Sequence, residues 1–367
     1  MIKAPLENSP VFGQQAKAGA SFIDYAGWQI ADHYGNPTEE HLAVRHGVGL
    51  IDLSHRGKIR VEGRDRTTFL HAMLSNDIKN LKSGEGLYAA MLNAQGRILA
   101  DLYLYASQEH FLIDCSASLT KKIVETLNQY IIMEKVTLKD ETRQYAFLAV
   151  EGPEAISLVK KIAGEDLSYF KLNAHKRKNL AGSEAEIFRC SLSGEQGFAV
   201  LVEAQAAPGL WDSLLAEGKS FGIRPFGRAA ANTLRLEAGI PWYGIDMDES
   251  NLLPETGLEH AVSYTKGCYI GQEVVARLQA IAQVNKKLMG LEISSGEVPS
   301  NGAKLLKEAK KIGYLTSAVF SPTLRKAIAL GYVHRNHAAK GTALQVEHQG
   351  KKVEAYVTTL PFFLRNT

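Results

Sequence analysis

Residues 87–105 read LYAAMLNAQGRILADLYLY, and this stretch decides the fold class. Residues 87–92 and 98–105 are patterned as strands, and Asn93-Ala94-Gln95-Gly96-Arg97 between them is a turn signal. In the second strand Ile98, Ala100, Leu102 and Leu104 point to one face, and Leu99, Asp101, Tyr103 and Tyr105 to the other.

Outward from this pair the elements alternate in type. Before it, a short strand over 58–61 ends at Gly63, and an amphipathic helix carries Phe69, Leu70, Met73 and Leu74 on one side. After it come a strand over 110–114 and a helix over 118–133. Ser116 or Ser118 can cap that helix, with Ile123, Leu127, Tyr130 and Ile131 facing a core. Residues 145–150 form a buried strand, and Gly152-Pro153 opens another helix. Residues 186–202 read as a hairpin around Ser193-Gly194-Glu195-Gln196-Gly197, followed by helices over 211–219 and 226–237. Strands and helices mixed in one unit, with strand partners close in sequence, favour an α+β layer over a doubly wound parallel sheet. Beyond residue 282 the runs 288–293, 312–319, 327–333, 343–347 and 353–360 suggest a small antiparallel barrel or sandwich. The expected boundary lies near residues 281–285, giving domains of 1–281 and 282–367.

Bulk properties narrow the function classes. The 367 residues are 45% hydrophobic and 22% charged, an ordinary globular balance, and the net charge of +3 gives no reason to expect nucleic acid or an anionic membrane as partner. Cys115, Cys190 and Cys268 are odd in number and far apart, so neither a disulfide framework nor a zinc site is expected. Residues 1–10 lack the pattern of a signal peptide, and no apolar run approaches the roughly 20 residues that span a bilayer. A cytoplasmic location is the expectation. Walker A, GxGxxG, HExxH and GxSxG patterns are absent.

Four segments can carry chemistry. Asp101 is a carboxylate among apolar and aromatic neighbours on a strand, which must be paired, solvated in a pocket or protonated; a structural aspartate is the plainer reading. Glu195, in a glycine-flanked turn, can present both oxygens to a heterocycle edge with two adjacent N–H donors, or be a solvated turn residue. Arg228 and Arg235 lie seven apart on one helix face and suit a carboxylated ligand, or ion pairs with Glu237 or Asp246; Trp242 and Tyr243 suit a stacking wall or a core plug. Cys268, between Gly267 and Tyr269 and ahead of a helix starting at Gln272, sits near a helix N-terminus and beside Lys266, a setting that favours a thiolate; a lone cysteine is also a small buried apolar residue.

In order and spacing these segments resemble the glycine-cleavage T-protein (aminomethyltransferase) superfamily over nearly the whole chain. Asp24-Tyr25-Ala26-Gly27-Trp28 resembles its FAGW segment and Ile51-Asp52-Leu53-Ser54-His55 its DVSH turn. Arg235-Leu236-Glu237-Ala238-Gly239 with Tyr243-Gly244-Ile245-Asp246-Met247-Asp248 resembles its RLEAG…YGxDxD signature, and 313–317 and 329–333 resemble its barrel strands. The resemblance implies an α+β fold: a three-part ring of mixed α/β units, two of them interleaved in 1–281, with a C-terminal antiparallel barrel. It implies tetrahydrofolate, or a one-carbon-substituted form, as the bound cofactor. Glu195 would hold the pterin edge, Asp101 would sit near the reactive folate nitrogens, and Tyr88 and Arg235 would line the channel or hold it together.

Two features set the chain apart from a plain aminomethyltransferase. Ala100-Asp101 stands where that family usually has two aspartates, and Gly96-Arg97 where it has two glycines. Lys266-Gly267-Cys268-Tyr269-Ile270-Gly271-Gln272-Glu273 is similar to the KGCYxGQE hallmark of YgfZ-like folate-binding proteins. The expectation is therefore a YgfZ-like protein supporting iron–sulfur cluster assembly or repair, with Cys268 as its working residue and iron–sulfur clients as partners. The alternative is the aminomethyltransferase itself, with a lipoyl carrier protein as partner and Asp101 at the reacting nitrogen. Either way a monomer is expected, with no metal, nucleic acid or membrane involved.

Overall fold

The computed structural model describes residues 5–281 and 284–365. The boundary expected at 281–285 includes Ala282 and Gln283, which lie outside the described residues, as do residues 1–4 and 366–367. The chain divides into two compact units, one of residues 1–70, 78–88 and 102–232, the other of residues 71–77, 89–101 and 233–367.

The first unit holds a small sheet and a larger one. Glu7–Asn8, Trp28–His33 and Ser21–Tyr25 form the small sheet in that order. The larger has six strands in the order His175–Leu180, Ser183–Cys190, Gly197–Glu203, Tyr145–Glu151, Gly49–Asp52, Arg224–Pro225. All neighbours are antiparallel except the last pair. Tyr145–Glu151 is central because it is almost wholly apolar and buried, which suits a strand with neighbours on both sides. Helices Ala155–Ala163 and Ala207–Glu217 seal the sheet with Leu158, Leu210, Trp211 and Leu214 in one core with Leu148, Val150 and Phe198. The expected hairpin is Ser183–Cys190 paired with Gly197–Glu203, with Cys190 opposite Gly197.

A five-stranded sheet has the order Gly86–Leu92, Ile98–Ala106, His110–Cys115, Gly57–Glu62, Thr137–Asp140. The division between the units falls inside its first two strands, after Tyr88 and after Asp101. The helix expected over 118–133 is shorter: a 3-10 turn at Ala117–Leu119 leads into Thr120–Gln129, with no side-chain cap from a serine. Ile123 and Leu127 are buried as expected, but Tyr130 is half exposed and Ile132 and Met133 stand in solvent. With β-branched and aromatic residues beyond Gln129 and no further apolar periodicity, packing no longer supports another turn.

In the second unit six strands close into a barrel, in the order Lys286–Ile293, Lys326–His334, Lys310–Ser321, Lys304–Lys307, Ala343–His348, Lys351–Thr358, the last pairing back on the first. Sequence patterning missed Lys304–Lys307: four residues, two of them lysines, leave only Leu305 and Leu306 as a signal. Its core is Leu291, Leu305, Leu315, Ala329, Val346 and Val357 among others. Among the described residues no helix is long and apolar enough to cross a membrane.

Candidate active site

The hairpin tip between Cys190 and Gly197 is not a solvated turn. Glu195 is 3% exposed, and Arg45 Nη1, from the helix Pro37–His46, donates to its Oε1 at 2.7 Å. The same guanidinium donates to the carbonyl of Ser193 at 3.1 Å. Behind the tip lies Glu151, the last residue of its strand and fully buried. Its Oε1 accepts from the Leu192 amide at 2.9 Å and the Cys190 thiol at 3.7 Å. Its Oε2 accepts from the Ser193 amide at 3.2 Å and the Ser193 hydroxyl at 2.5 Å. Burial pushes the Glu151 carboxyl up to about 7, against the pull of these hydrogen bonds. Gly197 leaves room for it, since a Cβ there would stand 2.4 Å from Glu151 Oε1.

In the same unit Tyr88 is buried with its ring 4.9 Å from that of Tyr103, and Tyr103 stacks on Tyr105 at 6.4 Å. Tyr105 packs edge-on to Phe188 at 4.5 Å. Period-2 alternation thus gathers the tyrosines expected on one strand face into an aromatic row. Arg56 closes a fork on Asp114 at 2.6 and 3.0 Å beneath it. Burial works against the Arg56 charge, and Asp114 more than offsets that.

The second unit holds Asp101, Arg235 and Cys268. Asp101 is half-buried at the end of a tightly organised hairpin, in which the Asn93 side chain accepts from the Gln95 and Arg97 amides at 3.0 Å each. The strand beyond is fastened to the loop after Arg235. Ile98 N donates to Asn251 O at 3.2 Å, Tyr243 Oη donates to Ile98 O at 3.3 Å, and Arg97 reaches the carbonyl of Ser250. Burial, followed by Glu249, Asp248 and Asp101, raises the Tyr243 phenol above its ordinary range, so Tyr243 stays a neutral donor within the field of Asp101.

Arg235 has the ion-pair partner that the sequence offered as its structural option. Only 1% exposed, it bonds to Asp246, to Ser317 Oγ at 2.8 Å and to Ile240 O at 3.2 Å, with its guanidinium 4.7 Å from the Trp242 ring centre. Asp246 Oδ1 in turn accepts from the hydroxyls of Thr316 and Ser317, both at 2.6 Å. Consecutive strand residues ordinarily face opposite ways. Here the register shifts between Leu315 and Ser317, and this bulge lets both hydroxyls reach one carboxylate. Glu237 takes Ser321 Oγ at 2.5 Å and, on its carbonyl, the amides of Phe362 and Phe363. The Arg-Leu-Glu triplet therefore clamps the end of its helix to the barrel wall. Arg228 instead packs over the Tyr25 ring at 4.1 Å.

Cys268 is exposed, in the turn before the helix Gln272–Ile281. Lys266 does not serve it. Its ammonium is buried and donates to the carbonyls of His71, Leu74 and Asn76 at 2.5, 2.6 and 2.9 Å. Three donors meet three acceptors, so Lys266 staples this segment to residues 71–76. Gly271 has φ +84°, and a Cβ there would stand 2.5 Å from Asn93 O. Lys266 is thus fixed on residues 71–76 and Gly271 on the Asn93–Arg97 turn, so both are structural requirements of the loop. No group of three or more His, Cys, Asp or Glu residues among those described is placed to hold a metal ion.

Arg45 and Glu151 escaped the sequence reading. Arg45 carries no motif. Glu151 had a signal: a lone carboxylate ending an otherwise apolar strand, just before Gly152-Pro153.

The chain joins a mixed α/β body to a closed six-stranded barrel. Residues 11–266 match the GCVT N-terminal domain, and residues 286–363 match the glycine cleavage T-protein C-terminal barrel domain. The chain belongs to the glycine cleavage T-protein family. It is similar to an aminomethyltransferase of Caldanaerobacter subterraneus subsp. tengcongensis, 34% identical over 364 residues, covering 98% of this chain and 97% of that one. A Desulfitobacterium hafniense aminomethyltransferase is also 34% identical, over 361 residues, with 98% and 99% covered. The crystal structure of glycine cleavage system aminomethyltransferase T from Bartonella henselae superposes with a TM-score of 0.90 at 28% identity, covering 98% of both chains.

These findings overturn the iron–sulfur reading. It rested on the motif around Cys268, whereas near-full-length similarity runs to proteins named aminomethyltransferase, not to the YgfZ branch. Two positions of the motif have a structural account: Lys266 and Gly271 are fixed by packing, so their presence does not by itself mark an iron–sulfur function. Cys268 itself stands exposed in the turn before the helix Gln272–Ile281.

Proposed function

We propose that this protein is an aminomethyltransferase: it moves the one-carbon unit of an aminomethyl group, carried on the lipoyl arm of a carrier protein, to tetrahydrofolate and releases ammonia. The observation that carries the reading is similarity across 98% of the chain to relatives bearing that name. The donor set fits a reduced folate: a carboxylate built into a hairpin tip suits the paired N–H donors of a pterin, and a row of tyrosines suits a flat ring.

Tetrahydrofolate, when bound, supplies the nitrogens that accept the carbon. Glu195 takes the pterin edge, held by Arg45 so that its carboxylate does not swing. Tyr88 forms part of the aromatic wall. Asp101 offers negative charge where positive charge develops on the reacting nitrogen, which stabilises the transition state more than the ground state. Tyr243 remains protonated beside it and keeps the strand in place through Ile98. Arg235 acts on the frame, fixing the loop of Trp242 and Tyr243 to the barrel wall.

The test is ammonia release from an aminomethylated lipoyl carrier by the purified protein with tetrahydrofolate. Folate binding without any ammonia release would remove the reading.

A further inference from the structure

We propose that Glu151 is the positioning residue that sets the hairpin tip, and with it Glu195, in the conformation used for folate, and that it does so only as the ionised carboxylate. The proposal rests on the folate reading for Glu195.

The tip, residues 191–196, is gripped on both sides. Arg45 takes its acceptors, the Ser193 carbonyl and Glu195 Oε1. Glu151 takes its donors: the Leu192 and Ser193 amides, the Ser193 hydroxyl and the Cys190 thiol. The link to Glu195 runs through one atom. The Glu195 amide donates to Ser193 Oγ at 3.3 Å, and that hydroxyl passes its own proton toward Glu151 Oε2.

Four donors converging on two oxygens match an acceptor-only carboxylate. A proton on either oxygen would have to be taken up by turning the Ser193 hydroxyl or the Cys190 thiol from donor to acceptor, which undoes one arm of the grip. The ordering is tight because the site leaves no slack: Glu151 lies opposite Gly197 and Gly49 on its two neighbouring strands, and Gly197 makes room for the carboxylate.

The charged and titratable groups around it are Arg189 and Cys190 at the end of Ser183–Cys190, one strand beyond its neighbour, and Arg45 and Glu195 across the tip. Burial raises the Cys190 thiol well above its ordinary value, so it stays a donor. Burial likewise brings the Glu151 transition to about 7. The grip is therefore complete above neutrality and relaxes below it.

Amide hydrogen exchange of the tip peptide tests this without any ligand, on wild type, Glu151→Gln and Ser193→Ala at about pH 6 and about pH 8, corrected for intrinsic exchange. Wild type should be about tenfold better protected at the higher pH, the gap expected for losing one charge-assisted bond. Glu151→Gln should show no such contrast. Ser193→Ala, which keeps Glu151 but removes the bridge, should lose protection at Glu195 and retain the contrast at Leu192. Equal wild-type protection at both pH values, or an undiminished contrast in Glu151→Gln, overturns the proposal. Calorimetric titration with tetrahydrofolate on the same proteins should give a wild-type affinity that rises with pH and a Glu151→Gln affinity about tenfold weaker and flat. Unchanged affinity and pH profile in Glu151→Gln also overturns it. Wild type failing to bind folate at either pH would instead sink the folate reading, and the exchange comparison would still decide whether Glu151 sets the tip.

Discussion

Arg45 Nη1 meets Glu195 Oε1 at 2.7 Å with the two side chains 2% and 0% exposed, so a candidate ligand-binding carboxylate is held by a buried ion pair. Removing one partner strands the other charge. Arg45→Ala should lower unfolding free energy by about 3–5 kcal/mol in urea titrations. Glu195→Gln, which keeps shape and an acceptor oxygen, should cost less stability but weaken tetrahydrofolate by at least about tenfold in calorimetry. A glutamine variant binding folate at wild-type affinity would remove Glu195 from the ligand.

Asp101 differs because its proposed work is electrostatic. Asp101→Asn should slow ammonia release about 10²- to 10³-fold, the range seen when one preorganised transition-state partner is lost. Folate affinity should change by no more than about threefold. A parallel loss of affinity and rate would make Asp101 a binding group.

The KGCYIGQE segment gives a pair of opposed expectations. Cys268→Ser should leave ammonia release within about twofold, since the thiol is exposed and Lys266 is engaged elsewhere. Lys266→Met should destabilise the protein by about 2–4 kcal/mol in chemical unfolding, because two buried carbonyls and a part-buried one lose their common donor. The reverse pattern would return catalytic weight to the thiol.

Glu151 also shapes stability against pH. Its carboxyl is raised from 4.5 to about 7 in the folded state, so the folded protein holds a proton that the unfolded chain releases. Against the unfolded chain, burial costs the ionised carboxyl more than the hydrogen bonds of the tip return to it. Its contribution to global stability is therefore fully present below about pH 4.5 and is lost as pH rises through about 7, a change of about 3 kcal/mol, although the folded tip is best ordered when the group is ionised. His55 runs the other way: burial, helped by Arg56, holds it down at about 3, so it favours folding as pH rises toward 6.5. The difference between wild type and Glu151→Gln isolates the glutamate. From about pH 5 to about pH 8 the unfolding free energy of wild type should fall relative to that of Glu151→Gln, and an unchanged difference between the two proteins would refute the assignment.

Strand periodicity around Asp101 and the hairpin around Glu195 were legible because they repeat a period-2 pattern on either side of turn residues. The barrel was legible as a series of short runs, save for Lys304–Lys307, too short and too charged to register. What the sequence hid was partnership. Arg45 and Glu195 lie 150 positions apart, and Lys266 and Leu74 lie 192 apart, distances at which local pattern carries no information. The same blindness produced the iron–sulfur reading of the KGCYIGQE motif: a motif shows which residues recur together, but only packing shows that Lys266 and Gly271 hold a loop.

The bulge at Thr316 has a practical consequence for anyone recombining this protein with its relatives. Asp246 gauges the strand Lys310–Ser321 by touching two successive hydroxyls, which only one alignment of that strand permits. A barrel transplanted at a seam between residues 248 and 286 would arrive without its gauge. A chimera made there would have to inherit residues 235–248 along with the barrel, or carry a buried aspartate facing the wrong side chains.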